Sequence, residues 1–556
     1  MTNNIIKMDN GDRNHTIPSL FRDTVRRAGN KNAMAYAGEI PITWSQVNTH
    51  VQALMALLEK AGIQPGDRVV LLSTNMPNWG IAYFAIVSSG AVVVPVLPDF
   101  TTGEILNVID HSGASALFVS SSLYPKVEEN REKLPATIIM TDDFSVVRSK
   151  REGLSLDPAA KPAREYNVLP DDLAAIIYTS GTTGKSKGVM LTHENITFNA
   201  LKGRKIHYLD ENDRFLSVLP LSHTYENTLG LILPMLCGSC IYYLRKPPSP
   251  AILLPALTQI KPTAMLTVPL IIEKIYFNKI LPSFSKNALL RKLYSKPFFR
   301  KRLNAIAGKK LRKTFGGCLR FYGIGGAKLK RNVEEFLREA HFPYAIGYGL
   351  TETSPLLAGC GPSNTLLEST GPAIEGIELI IHNPDPETGE GEIWARGPNV
   401  MKGYYREPEL TAEVLTEDGW FRTGDLGRFD ESGNLFIKGR LKNMILGSSG
   451  ENIYPEEIES IINNFEFVNE SIVVEQKGRL VALVHLNMEE LEKKYQHLKH
   501  DLEAKIEELK SDLKNYVNSK VNRFSQISRV DHHETPFQKT ATQKIKRFLY
   551  KEKEAP

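Results

Sequence analysis

The stretch 174–193, Ala-Ala-Ile-Ile-Tyr-Thr-Ser-Gly-Thr-Thr-Gly-Lys-Ser-Lys-Gly-Val-Met-Leu-Thr-His, constrains the chain more than any other. Two apolar, β-prone runs, Ala174 to Tyr178 and Val189 to Leu191, flank a loop of small, hydroxylic and basic residues. The loop holds Thr179, Ser180, Gly181, Thr182, Thr183, Gly184 and Lys185, and closes with Ser186, Lys187 and Gly188. Small residues let a backbone curl closely around a ligand with its N–H groups facing inward. Hydroxyls add donors and lysines add positive charge, and together these make the chemistry of a triphosphate cradle. A Walker A loop, G-x-x-x-x-G-K-[ST], does not fit. Gly184-Lys185-Ser186 would need glycine at position 179, which is Thr179, and Val189-Met190-Leu191 reads as a strand where a Walker A lysine opens a helix. A polar hairpin turn also uses Gly and Ser/Thr, but the unbroken run from Thr179 to Gly188 exceeds what a turn requires.

The 556 residues suit several domains or one large domain with an appendage. A hydrophobic share of 42% with 24% charged is ordinary for a soluble globular chain, and a net charge of +5 does not argue for nucleic acid. Four cysteines are too few for a disulfide scaffold and suit a reducing compartment, so the expected location is cytoplasmic. Cys237-Gly-Ser-Cys240 is a lone C-x-x-C without a second pair, which argues against zinc. The N-terminus lacks the apolar core of a signal peptide. Two long uncharged stretches, 71–98 and 227–244, are broken by proline, glycine and polar residues. Each reads as a buried helix, a glycine turn and a buried strand, and no transmembrane segment is expected.

Taken in order, residues 17–141 alternate helical and strand patterns. Thr43-Trp-Ser-Gln46 opens a helix, Gln64-Pro-Gly-Asp67 turns into the strand Val69–Leu72, and a helix around Trp79–Ser88 leads to a strand at 91–96. That alternation predicts an α/β fold with largely buried sheets. Residues 149–171 read as a surface linker, and Phe215–Leu219 as a strand running into Pro220-Leu-Ser-His223. Residues 279–313 carry twelve Lys or Arg and no Asp or Glu, interleaved with Phe, Tyr and Leu. Two readings stand side by side: a solvated basic helical face, or an amphipathic segment touching anionic lipid at the inner face of a membrane. Nothing resembles a nucleic-acid module. Beyond residue 441 the pattern becomes a smaller α+β unit. It has a helix at 453–462, strands at 470–475 and 480–486, and a long amphipathic helix or helical hairpin over 488–521.

The loop Tyr178–Gly188 closely resembles the phosphate loop of the adenylate-forming superfamily, which includes acyl-CoA synthetases, peptide-synthetase adenylation domains and firefly-type luciferases. Seven further stretches resemble its motifs in the expected order, covering about 17–550. In Tyr348-Gly-Leu-Thr-Glu-Thr353 the resemblance puts Tyr348 against adenine, Thr351 near the α-phosphate and Glu352 on Mg²⁺. A triphosphate needs a hard cation, and a carboxylate supplies one oxygen ligand. After a strand at 319–322, Gly323-Ile-Gly-Gly-Ala-Lys328 places Gly325, Gly326 and Ala327 beside adenine and the acyl pocket. Gly391–Pro398 with Met401–Tyr404 resembles a structural strand pair serving packing. Trp420-Phe-Arg-Thr-Gly-Asp425 sets the ribose aspartate, Asp425, after a tight Thr-Gly turn. In Gly439-Arg-Leu-Lys442, Arg440 would contact ribose or phosphate and Lys442 would be a hinge. Pro220–His223 puts His223 beside the carboxylate entrance. Pro536-Phe-Gln-Lys-Thr-Ala-Thr-Gln-Lys544 assigns the adenylation lysine to Lys544, with Gln543 where many relatives have glycine.

The resemblance implies a large α/β N-terminal domain, 1–441, of subdomains with mixed sheets, and a small mobile α+β C-terminal domain, 442–556, bearing Lys544. It implies ATP-dependent activation of a fatty acid, with Mg²⁺ as cofactor and coenzyme A as co-substrate. The acid attacks the α-phosphate to give an acyl-adenylate and pyrophosphate, and the thiol of coenzyme A then yields acyl-CoA and AMP. Rotation between the steps would withdraw Lys544 and present the loop Gly447-Ser-Ser-Gly450. The basic insert and the Thr-Ala-Thr-Gln-Lys ending resemble long-chain acyl-CoA synthetases. The alternatives are an acyl-[acyl carrier protein] synthetase or another carboxylic acid adenylating enzyme and, from another class, an inactive membrane-bound scaffold.

Overall fold

The structure is a computed structural model that describes residues 15–180, 186–285, 288–446, 452–476, 478–495, 502–540 and 545–550. Two eight-stranded sheets dominate it. In the first, Leu173–Ser180, Val92–Val96, Arg68–Leu72, Ala116–Val119 and Thr137–Met140 lie parallel in that order. Antiparallel strands finish it: Ser186–Thr192 and then Gly403–Tyr404 on one side, Val146–Arg148 on the other. In the second, Tyr344–Gly349, Phe321–Ile324, Ala264–Thr267, Arg214–Leu216, Cys240–Tyr243 and Asn32–Tyr36 run parallel, edged by antiparallel Leu356–Gly359 and Ile42–Thr43. Parallel strands covered on both faces read as continuous apolar runs, and every residue of Val92–Val96 is buried.

The helix Pro77–Ser88 packs on strands of both sheets, and all of its residues from Trp79 onward are buried. Its all-round apolarity is that of a helix buried on every side. The uncharged run 71–98 is thus a strand, this helix, a turn at Gly90 with φ +71° and a second strand. Among the described residues no helix is long and apolar enough to cross a membrane. Helix starts follow local chemistry: Thr43 caps Trp44–Ala61 in a reciprocal pair with Gln46, and Thr192 caps His193–Ile206 with Asn195.

Three expectations need correction. The strand expected over Phe215–Leu219 ends at Leu216. Beyond it the backbone bonds a side chain: Asn75 donates to the Leu219 carbonyl (2.6 Å) and accepts from Leu221 N–H (2.9 Å). The strand expected at 319–322 begins at Phe321. Gly391–Pro398 and Met401–Tyr404 do not pair with each other. Gly391–Arg396 joins an antiparallel sheet with Glu378–His382, Phe421–Phe429 and Leu435–Arg440, whereas Gly403–Tyr404 pairs with Ser186–Thr192.

The basic insert is helical, in segments Leu281–Ser285, Ala288–Tyr294 and Pro297–Thr314. Its inner side chains, including Phe284 and Leu311, pack with Met265 and Tyr322 on one face of the second sheet. Past residue 444, a hydrophobic core of its own gathers Ile458, Ile462, Val473, Val484 and Leu513. The helix Pro455–Ile462 and the strands Val468–Gln476 and Arg479–Leu486 fall close to expectation, and the long amphipathic pattern is two helices, Met488–Lys494 and Leu502–Asn518.

Candidate active site

The strand of the phosphate motif folds back on the next one: Tyr178 lies opposite Gly188, Thr179 opposite Lys187 and Ser180 opposite Ser186. A Cβ at Gly188 would stand 2.9 Å from Ile176 Cγ2 and 3.2 Å from Tyr178 Cζ, so only glycine lets the strands close at that rung. Gly181, Thr182, Thr183, Gly184 and Lys185, the side chain of Ser180, the loop 447–450 and Lys544 lie outside the described residues.

Tyr348, Asp425 and Arg440, distant in sequence, meet. Tyr348 is buried at the end of Tyr344–Gly349 and donates its hydroxyl to Asp425 Oδ2 at 2.8 Å. Arg440 Nε lies 2.7 Å from Asp425 Oδ1. Asp425 sits inside the strand Phe421–Phe429, not after a turn; Gly424 at φ +67° and a register shift re-aim the strand there. Burial and the Asp425 charge hold the Tyr348 phenol far above its usual pKa. Burial works against the Arg440 charge, but Asp425, Tyr348, Glu352 and Glu456 outweigh it and raise its pKa.

Thr351 and Glu352 occupy a short 3-10 turn just after that strand. Two buried asparagines clamp it. Asn399 donates to the carbonyls of Thr353 (2.8 Å) and Leu356 (3.1 Å), and Asn199 donates to the same two. Gly349 is obligatory here, since a Cβ would stand 1.8 Å from the Pro355 carbonyl oxygen. Glu352 Oε1 accepts from Tyr404 OH at 2.9 Å, and Lys187 Nζ lies 5.0 Å over the Tyr404 ring. Burial lowers the Lys442 pKa, and the charges of Lys187 and Arg440 lower it further, against Glu352. Two further cations thus repel Lys442 against the single opposing charge of Glu352, an arrangement that a polyanion would relieve. Among the described residues no group of three His, Cys, Asp or Glu could cage a metal. Glu352, with one oxygen engaged by Tyr404, fits Mg²⁺ held by a single carboxylate plus substrate phosphates.

A second group adjoins the first. The turn after Phe321–Ile324 contains Gly325, which donates to the Thr267 carbonyl, then Gly326 at φ +83° and Ala327, both exposed. Tyr225 packs on it: a Cβ at Gly325 would lie 3.2 Å from the Tyr225 ring, and one at Gly323 3.0 Å from its hydroxyl. His223 stands two residues before Tyr225, where it starts the helical run that continues to Cys237. Beneath lies a pocket lined by Tyr225, Leu229, Leu233, Leu266, Gly323 and Gly347 among others. Its walls are almost wholly apolar, and it passes Gly203 and Phe215. Gly347 faces it one residue before Tyr348, so the cluster about Asp425 and the apolar cavity share a strand.

No site role was legible in the sequence for Tyr404, Tyr225, Asn199 or Asn399. Tyr404 had been placed in a packing motif. The asparagines carried no local signal, since what they bond is brought to them by the fold.

The sequence profile of the AMP-binding enzyme family matches residues 21–405. The chain is 29% identical over 561 residues to the long-chain-fatty-acid–CoA ligase FadD15 of Mycobacterium bovis, covering 92% of this chain and 90% of that one. It is also 29% identical to the long-chain-fatty-acid–CoA ligase heimdall of Drosophila melanogaster, over 80% of this chain and 72% of the other. Among solved structures, the O-succinylbenzoate coenzyme A synthetase of Bacillus subtilis in complex with AMP superposes with a TM-score of 0.75 at 22% identity, covering 98% and 99% of the two chains.

Proposed function

Because the chain belongs to the AMP-binding enzyme family, we propose that it is an AMP-forming long-chain fatty acid–CoA ligase. The single observation that carries this reading is the apolar cavity abutting a cluster of cations, a carboxylate and the ribose-type aspartate. The fatty acyl chain lies in the cavity and its carboxylate meets ATP near His223. Asp425 accepts the ribose hydroxyls, Tyr348 and the Gly325–Ala327 turn flank the base, and Lys187, Arg440 and the 179–185 loop hold the phosphates. A carboxylate oxygen attacks the α-phosphorus, the bond to the β-phosphate oxygen breaks, and pyrophosphate leaves. Positioning and charge neutralisation are the protein's contribution to such a step, with Lys544 and Thr351 facing the transferring phosphorus. Glu352 would hold Mg²⁺, which would supply further neutralisation of phosphate charge. The coenzyme A thiolate then attacks the acyl carbonyl and AMP departs. Residues 1–441 and 442–556 act as separate units about Lys442, so that Lys544 withdraws between steps. The test is AMP release with fatty acids of graded length, offering coenzyme A or acyl carrier protein as acceptor. No release with any fatty acid sinks the reading, and release only with acyl carrier protein replaces the acceptor.

The cavity makes a specific prediction. A Cβ at Gly203 would stand 3.0 Å from Leu229 Cδ2, a lining residue. Gly203→Leu should lower the ratio of kcat/KM for hexadecanoate over octanoate at least about 10-fold, as excluding even one methylene is worth 10-fold or more. An unchanged ratio in a folded variant places the chain elsewhere.

We propose as well that the basic insert rests on anionic lipid. Its outer face exposes Leu289 (68%), Phe298 (60%) and Ile306 (55%) beside the lysines and arginines. If four cations face the surface, at about 1 kcal/mol each, partitioning rises roughly a thousandfold and weakens with salt. Wild type should co-sediment with anionic vesicles, and a variant with half of these Lys and Arg changed to Gln should not. Equal sedimentation leaves a solvated basic face.

A further inference from the structure

We propose that Asn75, Ser217 and Glu226 form a hydrogen-bonded clasp that positions His223 and Tyr225 for the fatty acid. This rests on the ligase reading for its consequence but not for its geometry. Asn75 stands in the loop after Arg68–Leu72 of the first sheet, and its side chain crosses to the second. Its amide donates to Ser217 Oγ (3.0 Å) and the Leu219 carbonyl (2.6 Å), and its oxygen accepts from Leu221 N–H (2.9 Å). One side chain therefore holds three points of the five-residue stretch that leads to the His223 motif.

Ser217, held by Asn75, favours the ionised Glu226 carboxyl and so couples the acid to this stretch. Glu226 is 1% exposed, and its Oε2 has no protein hydrogen-bond partner among the described residues. It opens a π-helical stretch, Asn227–Ile232, with its carboxyl folded over Gly230, where a Cβ would lie 2.7 Å from Glu226 Cδ. Only glycine at 230 makes room for the acid. A π-helical turn re-aims side chains and is common at functional sites. Here the segment carries His223 and Tyr225 ahead of the acid and, after it, the cavity-lining Leu229 and Leu233.

Glu226 is suited to this only while neutral. Burial pushes its pKa up to about 8, against the opposing Ser217 hydrogen bond. The ionisable groups facing it are Tyr225 on its own segment and Tyr243 on Cys240–Tyr243, both raised by burial. Among the described residues no lysine, arginine or second carboxylate acts on it. The native pKa exceeds the ordinary value. The proton therefore favours the folded clasp, fully so below pH 4.5, and this support is lost as pH rises through about 8. Above that, a buried unpaired carboxylate forces the segment to loosen.

The experiment reads two quantities: hydrogen exchange of the peptide 217–226, corrected for intrinsic rate, and steady-state adenylation with hexadecanoate. In wild type, exchange should quicken and turnover fall between pH 7 and 9, about tenfold per unit above pH 8 if one group governs. Glu226→Gln should keep the peptide protected and flatten the limb. Ser217→Ala should move the limb upward in pH, because a bond favouring the ionised form is gone. Asn75→Ala should quicken exchange and raise KM for hexadecanoate about tenfold, with KM for ATP within about twofold, as loss of two or three hydrogen bonds implies. A limb unaltered in Glu226→Gln, equal changes in both KM values, or unaltered exchange in Asn75→Ala overturns the clasp. Wild type inert toward hexadecanoate would overturn the ligase reading instead, and exchange would still decide the clasp.

Discussion

Lys544→Ala is expected to lower acyl-adenylate formation by about 10²–10³-fold, the loss typical when one preorganised charge or donor is removed from a developing oxyanion. Thioester formation from supplied acyl-adenylate should persist within a few-fold, because that step uses the other orientation of residues 442–556. The measurements are pyrophosphate release from acid and ATP, and acyl-CoA formation from synthetic acyl-adenylate. Equal loss of both halves would remove Lys544 from its role. The neighbouring Gln543 bears on this: a side chain there restricts the backbone that a glycine would leave free, so Gln543→Gly tests whether the lysine needs that freedom.

Asp425→Ala should raise KM for ATP about 10- to 100-fold while KM for the acid moves less than about twofold, since charge-assisted hydrogen bonds to ribose are lost. Tyr348 OH and Arg440 Nε also lose their shared acceptor, at 2.8 and 2.7 Å. Arg440 is 38% exposed and can turn to water, but the buried Tyr348 hydroxyl is left without its acceptor, at a cost of about 1–3 kcal/mol in stability. Asp425→Asn keeps an acceptor for Tyr348 without the charge and should fall between the two. A parallel rise in both KM values would mean that Asp425 holds the fold rather than the nucleotide.

Much of the architecture was legible because burial in a parallel sheet leaves a plain mark. Val92–Val96 is a continuous apolar run, and its strand assignment needed nothing beyond that. Helix starts were legible at Thr43, where the reciprocal Thr–Gln pair is local chemistry.

Other features depended on partners far along the chain. The strand after Arg214 stops early because Asn75, about 140 residues upstream, takes the hydrogen bonds a longer strand would have made. Tyr404 leaves its packing role because pairing with Ser186–Thr192 carries its hydroxyl to Glu352. Local residue chemistry thus specified many of the elements, since those follow from propensity and side-chain type. Which groups face one another followed from strand order: Asp425 between Tyr348 and Arg440, and Tyr404 against Glu352. Strand order is a property of long-range pairing, and no window of sequence contains it.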